Sequence, residues 1–573
     1  GKAALPILQK AAQLLPGDAD AHCNLGAALK DHGQIDDAVA SYRRALEIKP
    51  DLAEAHSNLG GALQALGQPD AALASCRRAL ELKPAYANAH LNLGNALRDL
   101  GQFEDAVASY RRVLELNPVY AEAHCNLGNA LKDLGQLDGA MMSYRRALEL
   151  KPAYAEAHLN QGNLLKDLGQ FDGAAASYRR ALELRPVYAE AHYNLGNALH
   201  ELGQFNGAMA SFRRALEIKP GYAEAYDNLG NSLKDLGQVD EAVASYRRAL
   251  EIKPDYSAAH SNLLFTHNYQ SSLSASMLLA EACRFGDSVA RQARPYTAWP
   301  NVPETGRCLR VGLVSGDLCQ HPVGYFLESV LEALTGSASG QLELFAYYNR
   351  SRVDGVTERI KACCRGWHPV AGLSDVSLAR RIRDDGIDVL IDLSGHTAHN
   401  RLPMFAWKPA PVQVSWLGNL ATTGVAAVDY LLADPRAVPK ADEAHFSERI
   451  WRLPESLLCF TPPEEDGEAG PLPALANGYI TFGCFNNLTK MTDSVVALWA
   501  KVLQSVPGSR LLLKAKQLQD ASVRQSVIER FAARGVDADR LILQHLVPRA
   551  EYLAPHRQVD IALDPFPYQG VTT

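Results

Sequence analysis

The 573-residue sequence lacks several features that would place it in common functional classes. It has no apolar run of the roughly 18 residues that a membrane-spanning helix needs. No basic segment followed by an apolar core opens it. Its ten cysteines form no C-x-x-C pair and no His-rich cluster, which is the pattern of reduced packing residues rather than of a metal or redox site. We therefore expect a cytoplasmic protein with no bound metal and no membrane partner.

The negative net charge and the absence of two phosphate-binding motifs exclude further functional classes. The net charge is −7, so the chain has no basic field of the kind that drives nucleic-acid binding. No G-x-x-x-x-G-K-[ST] sequence occurs, and no G-x-G-x-x-G follows a predicted strand. Neither a P-loop enzyme nor a dehydrogenase is supported, and we expect no nucleic-acid partner.

The first half of the chain repeats every 34 residues. Each unit holds two blocks with apolar residues at helical spacing, joined by a Gly-Gln turn and ended by a proline, which cannot continue a helix. The period is kept by Gly26, Gly60, Gly94, Gly128, Gly162, Gly196 and Gly230, and by Pro50, Pro84, Pro118, Pro152, Pro186, Pro220 and Pro254. This pattern predicts tetratricopeptide repeats, which stack into a superhelix with a concave inner face.

A column of asparagines repeats at the same interval. Its members are Asn24, Asn58, Asn92, Asn126, Asn160, Asn194, Asn228 and Asn262. Stacked asparagines can donate to and accept from successive backbone amides of an extended peptide, which recognises a chain without demanding a sequence. The alternative is that each one only bonds to a neighbouring repeat. We expect the ladder, and the acceptor-peptide residues that we predict are Asn92, Asn126, Asn160, Asn194 and Asn228.

A different pattern follows the last asparagine of the column. Residues 265–305 predict an irregular helical connector, and apolar strands then alternate with helical stretches, as in CLRVGLVSGD, LELFAYYN and IDVLIDLSGH. This alternation predicts βαβ units around a parallel sheet. A Pro- and Gly-rich patch separates a second alternating set that begins at YITFGCFNNLTK. Two doubly wound lobes bind their ligand at the carboxyl ends of the strands.

The predicted fold class is therefore an α-superhelix followed by two α/β lobes. We expect the repeat superhelix at 1–264, the connector at 265–305, a first Rossmann-like lobe at 306–460, an interlobe linker at 461–477 and a second lobe at 478–573. We also expect the second lobe to be truncated, because Thr573 falls where a phosphate-binding helix should begin. Part of a donor site would then be missing, and the chain would be inactive as it stands.

Residues with suitable chemistry follow several of the predicted strands. They are Asp317, His321, Gly395, His396, Asn486, Asn487, Lys490, Pro548, Arg549, Thr572 and Thr573. Lys490 and Arg549 can neutralise a diphosphate, and a Gly-x-Thr-Thr turn that opens a helix offers amides and hydroxyls to phosphate oxygens. Each signal is weak alone, because a strand-end histidine is often structural and an isolated lysine is usually solvated. Their joint placement favours a ligand that carries phosphate.

Five blocks of the chain resemble one known group of proteins. In SGDLCQHPVGYF, IDLSGHTAHN, KPAPVQVSWLGNLATTG, ITFGCFNNLTK and LDPFPYQGVTT the sequence is similar to the O-GlcNAc transferases and the related Spindly-type protein O-fucosyltransferases. The resemblance implies a GT-B pair of lobes and an inverting, metal-independent transfer of a sugar from a nucleotide donor to Ser or Thr of a protein, with no cofactor. It implies that His321 lies beside the acceptor hydroxyl and that Lys490 stabilises the departing diphosphate.

Several alternatives stay open at this point. His321 suits a general base, although a phosphate oxygen of the donor could take the proton and leave His321 as a positioning group. We favour UDP-GlcNAc over GDP-fucose as the donor. The motifs FNNLTK, GHTAHN and FPYQGVTT are nevertheless more similar to those of the Spindly-type branch. A non-catalytic peptide-binding scaffold and a transferase of glucose to Asn are the competing readings. Repeat arrays can also pair through exposed faces, which leaves a homodimer compatible with the sequence.

Overall fold

The computed structural model describes residues 4–270, 272–302, 304–338, 340–461, 470–545 and 554–566. The chain divides into two compact units, Gly1–Leu202 and Gly203–Thr573. Across the described ranges, every helix is too short or too polar to cross a membrane.

The first unit is built of helices alone in its described part. In chain order they are α1 Ala4–Leu14, α2 Ala19–Asp31, α3 Ile35–Ile48, α4 Ala53–Ala65, α5 Pro69–Leu82, α6 Ala87–Asp99, α7 Phe103–Leu116, α8 Ala121–Asp133, α9 Leu137–Leu150, α10 Ala155–Asp167, α11 Phe171–Leu184 and α12 Ala189–Glu201. The turn between paired helices needs glycine, since Gly101 has a φ of +74°. The pairs also approach closely, because a Cβ at Gly94 would lie 2.6 Å from a ring carbon of Tyr110.

The second unit begins with more helices of the same kind. They are α13 Phe205–Ile218, α14 Ala223–Asp235, α15 Val239–Ile252, α16 Ser257–His267 and α17 Ala275–Gln292. Gly230 packs against Tyr246 as the corresponding pairs do in the first unit. Helix α17 lies in the segment that the sequence predicts as a helical connector. It packs so tightly on the loop that contains Gly424 that a Cβ at Gly286 would lie 1.8 Å from the carbonyl oxygen of Gly424.

A seven-stranded parallel sheet follows. Its strands are β1 Leu309–Ser315, β2 Leu342–Tyr348, β3 Gly366–Pro369, β4 Val389–Asp392, β5 Val412–Ser415, β6 Tyr430–Ala433 and β7 Arg449–Arg452, and its helices are α18 Pro322–Ser337, α19 Gly355–Ala362, α20 Asp375–Asp384 and α21 Leu402–Phe405. The spatial order is β3-β2-β1-β4-β5-β6-β7. The order reverses between β1 and β4, which is where doubly wound sheets bind ligands.

A second parallel sheet has four described strands in the order β10-β9-β8-β11. They are β8 Thr481–Cys484, β9 Arg510–Lys514, β10 Leu541–Gln544 and β11 Ile561–Ala562, and the accompanying helices are α22 Pro473–Asn477, α23 Asp493–Ser505 and α24 Ala521–Ala532. Short 3-10 helices include Leu488–Lys490 and Lys516–Gln519. This order reverses between β8 and β11, and doubly wound sheets bind ligands at points of this kind.

The predicted fold class is confirmed: a repeat superhelix followed by parallel α/β sheets. The predicted domain limits stay a prediction, because the boundary between the compact units falls inside the repeat array. Two side-chain contacts help to explain why α13 and α14 group with the sheets. Asn206 donates to the Ser522 hydroxyl at 2.6 Å, and the Thr489 hydroxyl lies 2.9 Å from the carbonyl oxygen of Lys234.

Candidate functional site

The turn after β4 is held by a buried carboxylate. Asp392 accepts hydrogen bonds from the backbone nitrogens of Ser394 at 3.1 Å and Gly395 at 2.9 Å, and from the hydroxyl of Ser415 at 3.0 Å. Burial raises the pKa of Asp392 to about 6, although these hydrogen bonds oppose the rise. Gly395 has a φ of +56° and packs against Asn419. The predicted Gly395 therefore forms a tight turn at the point where the strand order reverses.

His321 lies at the carboxyl-terminal edge of the same sheet and caps a helix. It is the N-cap residue of α18, and its Nδ1 accepts a hydrogen bond from the backbone nitrogen of Val323 at 3.3 Å. The His321 side chain is 37% exposed. Because Nδ1 uses its lone pair as an acceptor, the neutral ring carries its proton on Nε2. This tautomer makes Nε2 a hydrogen-bond donor.

Two charged groups lie near His321. The Oδ2 atom of Asp317 is 3.8 Å from Nδ1 of His321, and Oδ1 of Asp317 is 3.9 Å from a guanidinium nitrogen of Arg350. Burial lowers the pKa of His321, with Asp317 raising it and Arg350 lowering it further. The structure thus brings together the predicted Asp317 and His321. It adds Arg350, which sequence reasoning missed although its position two residues after the end of β2 was a usable signal.

His396 occupies the interior rather than the edge of the sheet. Its Nδ1 lies 3.1 Å from the hydroxyl of Ser261 on α16, and its Nε2 lies 3.1 Å from the carbonyl oxygen of Thr423. Its ring packs edge-on against Phe285, and burial lowers its pKa to about 3. Both ring nitrogens contact protein groups, and the binding of a nucleotide-sugar by His396 stays a prediction.

The second sheet presents a lysine at its own reversal point. Lys490 ends the 3-10 helix after β8 and donates from Nζ to the side-chain oxygen of Asn486 at 3.2 Å. Asn486 in turn donates to Asp564, which follows β11, at 3.0 Å. Burial lowers the pKa of Lys490, while Asp564 and Cys484 raise it. The predicted Asn486 and Lys490 are therefore brought together.

Two further polar residues, Asn487 and Lys514, lie near this edge. Asn487 caps the 3-10 helix, and its side-chain oxygen accepts from the Thr489 backbone nitrogen at 2.9 Å. Its side-chain oxygen thus organises the turn, and a contact of Asn487 with a ligand stays a prediction. Lys514 is the last residue of β9 and is 1% exposed. Sequence reasoning missed this buried strand-end lysine, although the run LLLK was a signal.

The other predicted phosphate-binding residues lie outside the described residues. They are Pro548, Arg549, Thr572 and Thr573. Among the residues that the structure describes, His, Cys, Asp and Glu side chains form no group of three or more that could hold a metal ion.

The asparagine column bonds across repeats in the first unit. Each side-chain nitrogen donates to the preceding repeat: Asn92 to the Ser57 carbonyl oxygen at 2.9 Å, Asn126 to Asn95 at 3.1 Å, Asn160 to the Cys125 sulfur at 3.5 Å, and Asn194 to Asn163 at 3.0 Å. The side-chain oxygens take no part in these bonds. The bonds therefore do not decide whether the column binds an extended peptide or only joins neighbouring repeats. Asn228 occupies the same position on α14, and the ladder stays a prediction.

A tetratricopeptide array followed by two parallel α/β sheets, each with polar groups at its reversal point, defines a repeat-bearing glycosyltransferase fold. The chain belongs to glycosyl transferase family 41, whose model matches residues 254–460. Tetratricopeptide models match the preceding part, at residues 28–67, 53–86, 75–108, 94–135, 128–168, 162–203, 196–237 and 230–263.

A mutant of the Thermobaculum terrenum O-GlcNAc transferase is a structural relative, with 38% identity and a TM-score of 0.67 over 73% of this chain and 79% of that one. The chain is 36% identical to a Petunia hybrida protein named probable UDP-N-acetylglucosamine–peptide N-acetylglucosaminyltransferase SPINDLY, over 54% of this chain and 34% of the relative. It is 30% identical to the Arabidopsis thaliana protein SEC, of the same description, over 46% of this chain and 27% of the relative. The chain thus spans about a third of these curated relatives.

Proposed function

We propose that this chain moves GlcNAc from UDP-GlcNAc to Ser or Thr of intracellular proteins held by the repeat superhelix, with inversion and without a metal. The observation that carries this proposal is the partly buried Lys490 at the reversal point of the second sheet, bonded to Asn486. An ammonium group placed there can balance the charge of a departing diphosphate. The family and the names of the relatives support the donor.

The tautomer of His321 supports a positioning role in that reaction. The acceptor oxygen forms a bond to the anomeric carbon while the bond from that carbon to the diphosphate oxygen breaks, and the hydroxyl proton must leave. With Nδ1 bonded to Val323 and Nε2 already protonated, the His321 ring has no free lone pair for that proton. A phosphate oxygen of the donor takes the proton in this scheme, and Nε2 of His321 donates to the acceptor or the sugar.

GDP-fucose is the second donor candidate. The relatives named SPINDLY are 36% to 39% identical to this chain, against 30% for SEC, and the motifs GHTAHN and FNNLTK point to the same branch. The resemblance of those motifs to Spindly-type O-fucosyltransferases is the reason to test guanosine nucleotides beside uridine nucleotides.

Nucleotide titration of the full chain tests the proposal. UDP, UDP-GlcNAc, GDP and GDP-fucose are each titrated against wild type, Lys490→Ala and the control Lys501→Ala, which removes the same charge from an exposed position on α23. Uridine-selective binding that is weakened only by Lys490→Ala supports the GlcNAc proposal. Guanosine-selective binding moves the donor to GDP-fucose. If wild type binds none of the four, the transferase proposal fails and a peptide-binding scaffold is left.

A further inference from the structure

The loop that carries Lys490 rests on a helix of the repeat array. The last carbonyl groups of any helix lack partners within the helix. At the end of α14, the carbonyl oxygen of Lys234 lies 2.9 Å from the Thr489 hydroxyl. The next carbonyl oxygen, that of Asp235, accepts from the side-chain nitrogen of Gln517 at 3.3 Å. Two side chains of the second sheet thus cap this repeat helix.

The two capping side chains are also joined to the Lys490 turn. The side-chain oxygen of Asn487 accepts from the Thr489 backbone nitrogen at 2.9 Å and from the Gln517 side chain, and lies 2.8 Å from the Thr489 hydroxyl. The single hydroxyl proton of Thr489 is therefore shared between Asn487 and the helix end. Thr489 and Gln517 are both buried, so these bonds are shielded from competition with water.

An apolar contact fixes the same junction. Leu236, the residue that follows α14, packs against the core of the second sheet, which includes Leu488 and Met491 on either side of Thr489 and Lys490. The equivalent helix ends elsewhere in the array are closed by their own turn, as where Gly135 donates to the carbonyl oxygen of Lys132. Lys234 keeps this bond to Gly237 and accepts Thr489 in addition.

We propose that Thr489 and Gln517 are positioning residues through which the carboxyl-terminal end of repeat helix α14 holds Lys490 at the donor diphosphate. The inference rests on the proposed function only for the identity of the ligand. Its structural content is that the Lys490 turn takes its geometry from the repeat array. Loss of the cap makes the turn more mobile and weakens the interaction of Lys490 with phosphate. It does so without removing any group that contacts the ligand.

The test compares variants that remove or keep the side-chain groups that cap α14. Thr489→Val keeps the shape and removes the proton donor, Thr489→Ser keeps the donor, and Gln517→Met removes the second cap. Asn206→Ala is the matched control, because it breaks another bond between a repeat helix and the second sheet, to Ser522, and leaves the bonds of Thr489 and Gln517 to α14 in place. Circular dichroism and thermal melting of the full-length variants establish that each is folded.

Hydrogen exchange of residues 487–492 is measured without ligand, and the affinity for UDP and GDP is measured by titration. Thr489→Val and Gln517→Met should each speed hydrogen exchange in residues 487–492. Each should also lower the affinity for the nucleotide that wild type binds by about five- to tenfold, as expected for losing one buried hydrogen bond. Thr489→Ser should stay within about twofold of wild type.

Unchanged exchange in Thr489→Val, or an equal effect of Asn206→Ala, overturns the inference. Affinity for nucleotide that is unchanged in Thr489→Val also overturns it. If wild type binds neither UDP nor GDP, the proposed function fails, and the exchange comparison still decides whether α14 holds the turn.

Discussion

The imidazole of His321 accepts a hydrogen bond from the backbone nitrogen of Val323 and so caps helix α18. His321→Ala should lower the free energy of unfolding by about 1 kcal/mol, since it removes an N-cap. His321→Asn should cost less than about 0.5 kcal/mol, because asparagine is a good cap. Denaturant unfolding of the three proteins measures this difference.

Glycosyl transfer by the same variants separates positioning from base catalysis. Asparagine keeps a donor but cannot take a proton, so a positioning role predicts that His321→Asn retains far more turnover than His321→Ala. A general base is worth about 10²- to 10⁴-fold. Equal losses of that size in both variants would show that His321 accepts the proton after all.

The positive charge of Lys490 should contribute to sugar transfer rather than to the stability of the fold. Lys490→Met keeps the length of the side chain and removes the ammonium, and we expect a loss of transfer of about 10²- to 10³-fold, as for other groups that stabilise a developing charge. Steady-state kinetics with saturating donor measures it, with Lys501→Met as the control of equal charge. A Lys490→Met enzyme of nearly normal turnover would contradict the assigned role.

The close contact between Gly286 on α17 and the loop between β5 and β6 should tolerate no added side chain. A Cβ at Gly286 would meet the carbonyl oxygen of Gly424 at 1.8 Å, a backbone contact that cannot move aside easily. Gly286→Ala should therefore destabilise the protein by about 3 kcal/mol. Gly221→Ala is the control, since a Cβ there meets nothing within 4 Å, and it should change stability by less than about 0.5 kcal/mol. Similar melting temperatures for the two variants would refute the close contact.

The repeat array and most of the strands could be predicted because local patterns fix them. A 34-residue period reports helix pairs directly, and apolar runs such as CLRVGLVS report buried parallel strands. The missed strands β3 and β7 are short, and their sequences GWHP and RIWR carry no buried apolar run. They pair at the edges of the sheet, where a neighbouring strand rather than their own composition decides the structure.

The site was predictable only as far as strand order allowed. His321 and Lys490 follow strands that lie at reversal points, so their places at the sheet edges could be predicted, and their roles stay a prediction. The burial of His396 could not be predicted, because its partners Ser261 and Thr423 come from distant parts of the sequence and no local pattern reports burial of that kind. Arg350 was missed because its link to Asp317 depends on β1 and β2 being neighbours.

Replacing the asparagine column tests its two readings. Asn126→Ala with Asn160→Ala should cost about 1 kcal/mol per residue in stability, since each breaks a bond to the preceding repeat. If the column also binds acceptor backbone, the double variant should raise KM for a protein acceptor and leave the KM for the nucleotide-sugar unchanged. A stability loss with no change in acceptor KM would favour the purely structural reading. The Arg112→Ala variant, on the exposed face of α7, is the control.

His396 should make the protein acid-sensitive. Burial holds the pKa of the folded ring at about 3, against 6.5 for an ordinary histidine. Between these values the unfolded chain binds a proton that the folded chain does not, so stability falls as pH falls. Relative to His396→Asn, wild type should lose up to about 1.4 kcal/mol per pH unit below pH 6.5. The buried Asp392 titrates in both proteins, so its contribution cancels in the difference between their unfolding free energies. A difference that stays constant from pH 7 to pH 4 would mean that the ring is protonated in the folded state and that its bonds to Ser261 and Thr423 do not exclude the charge.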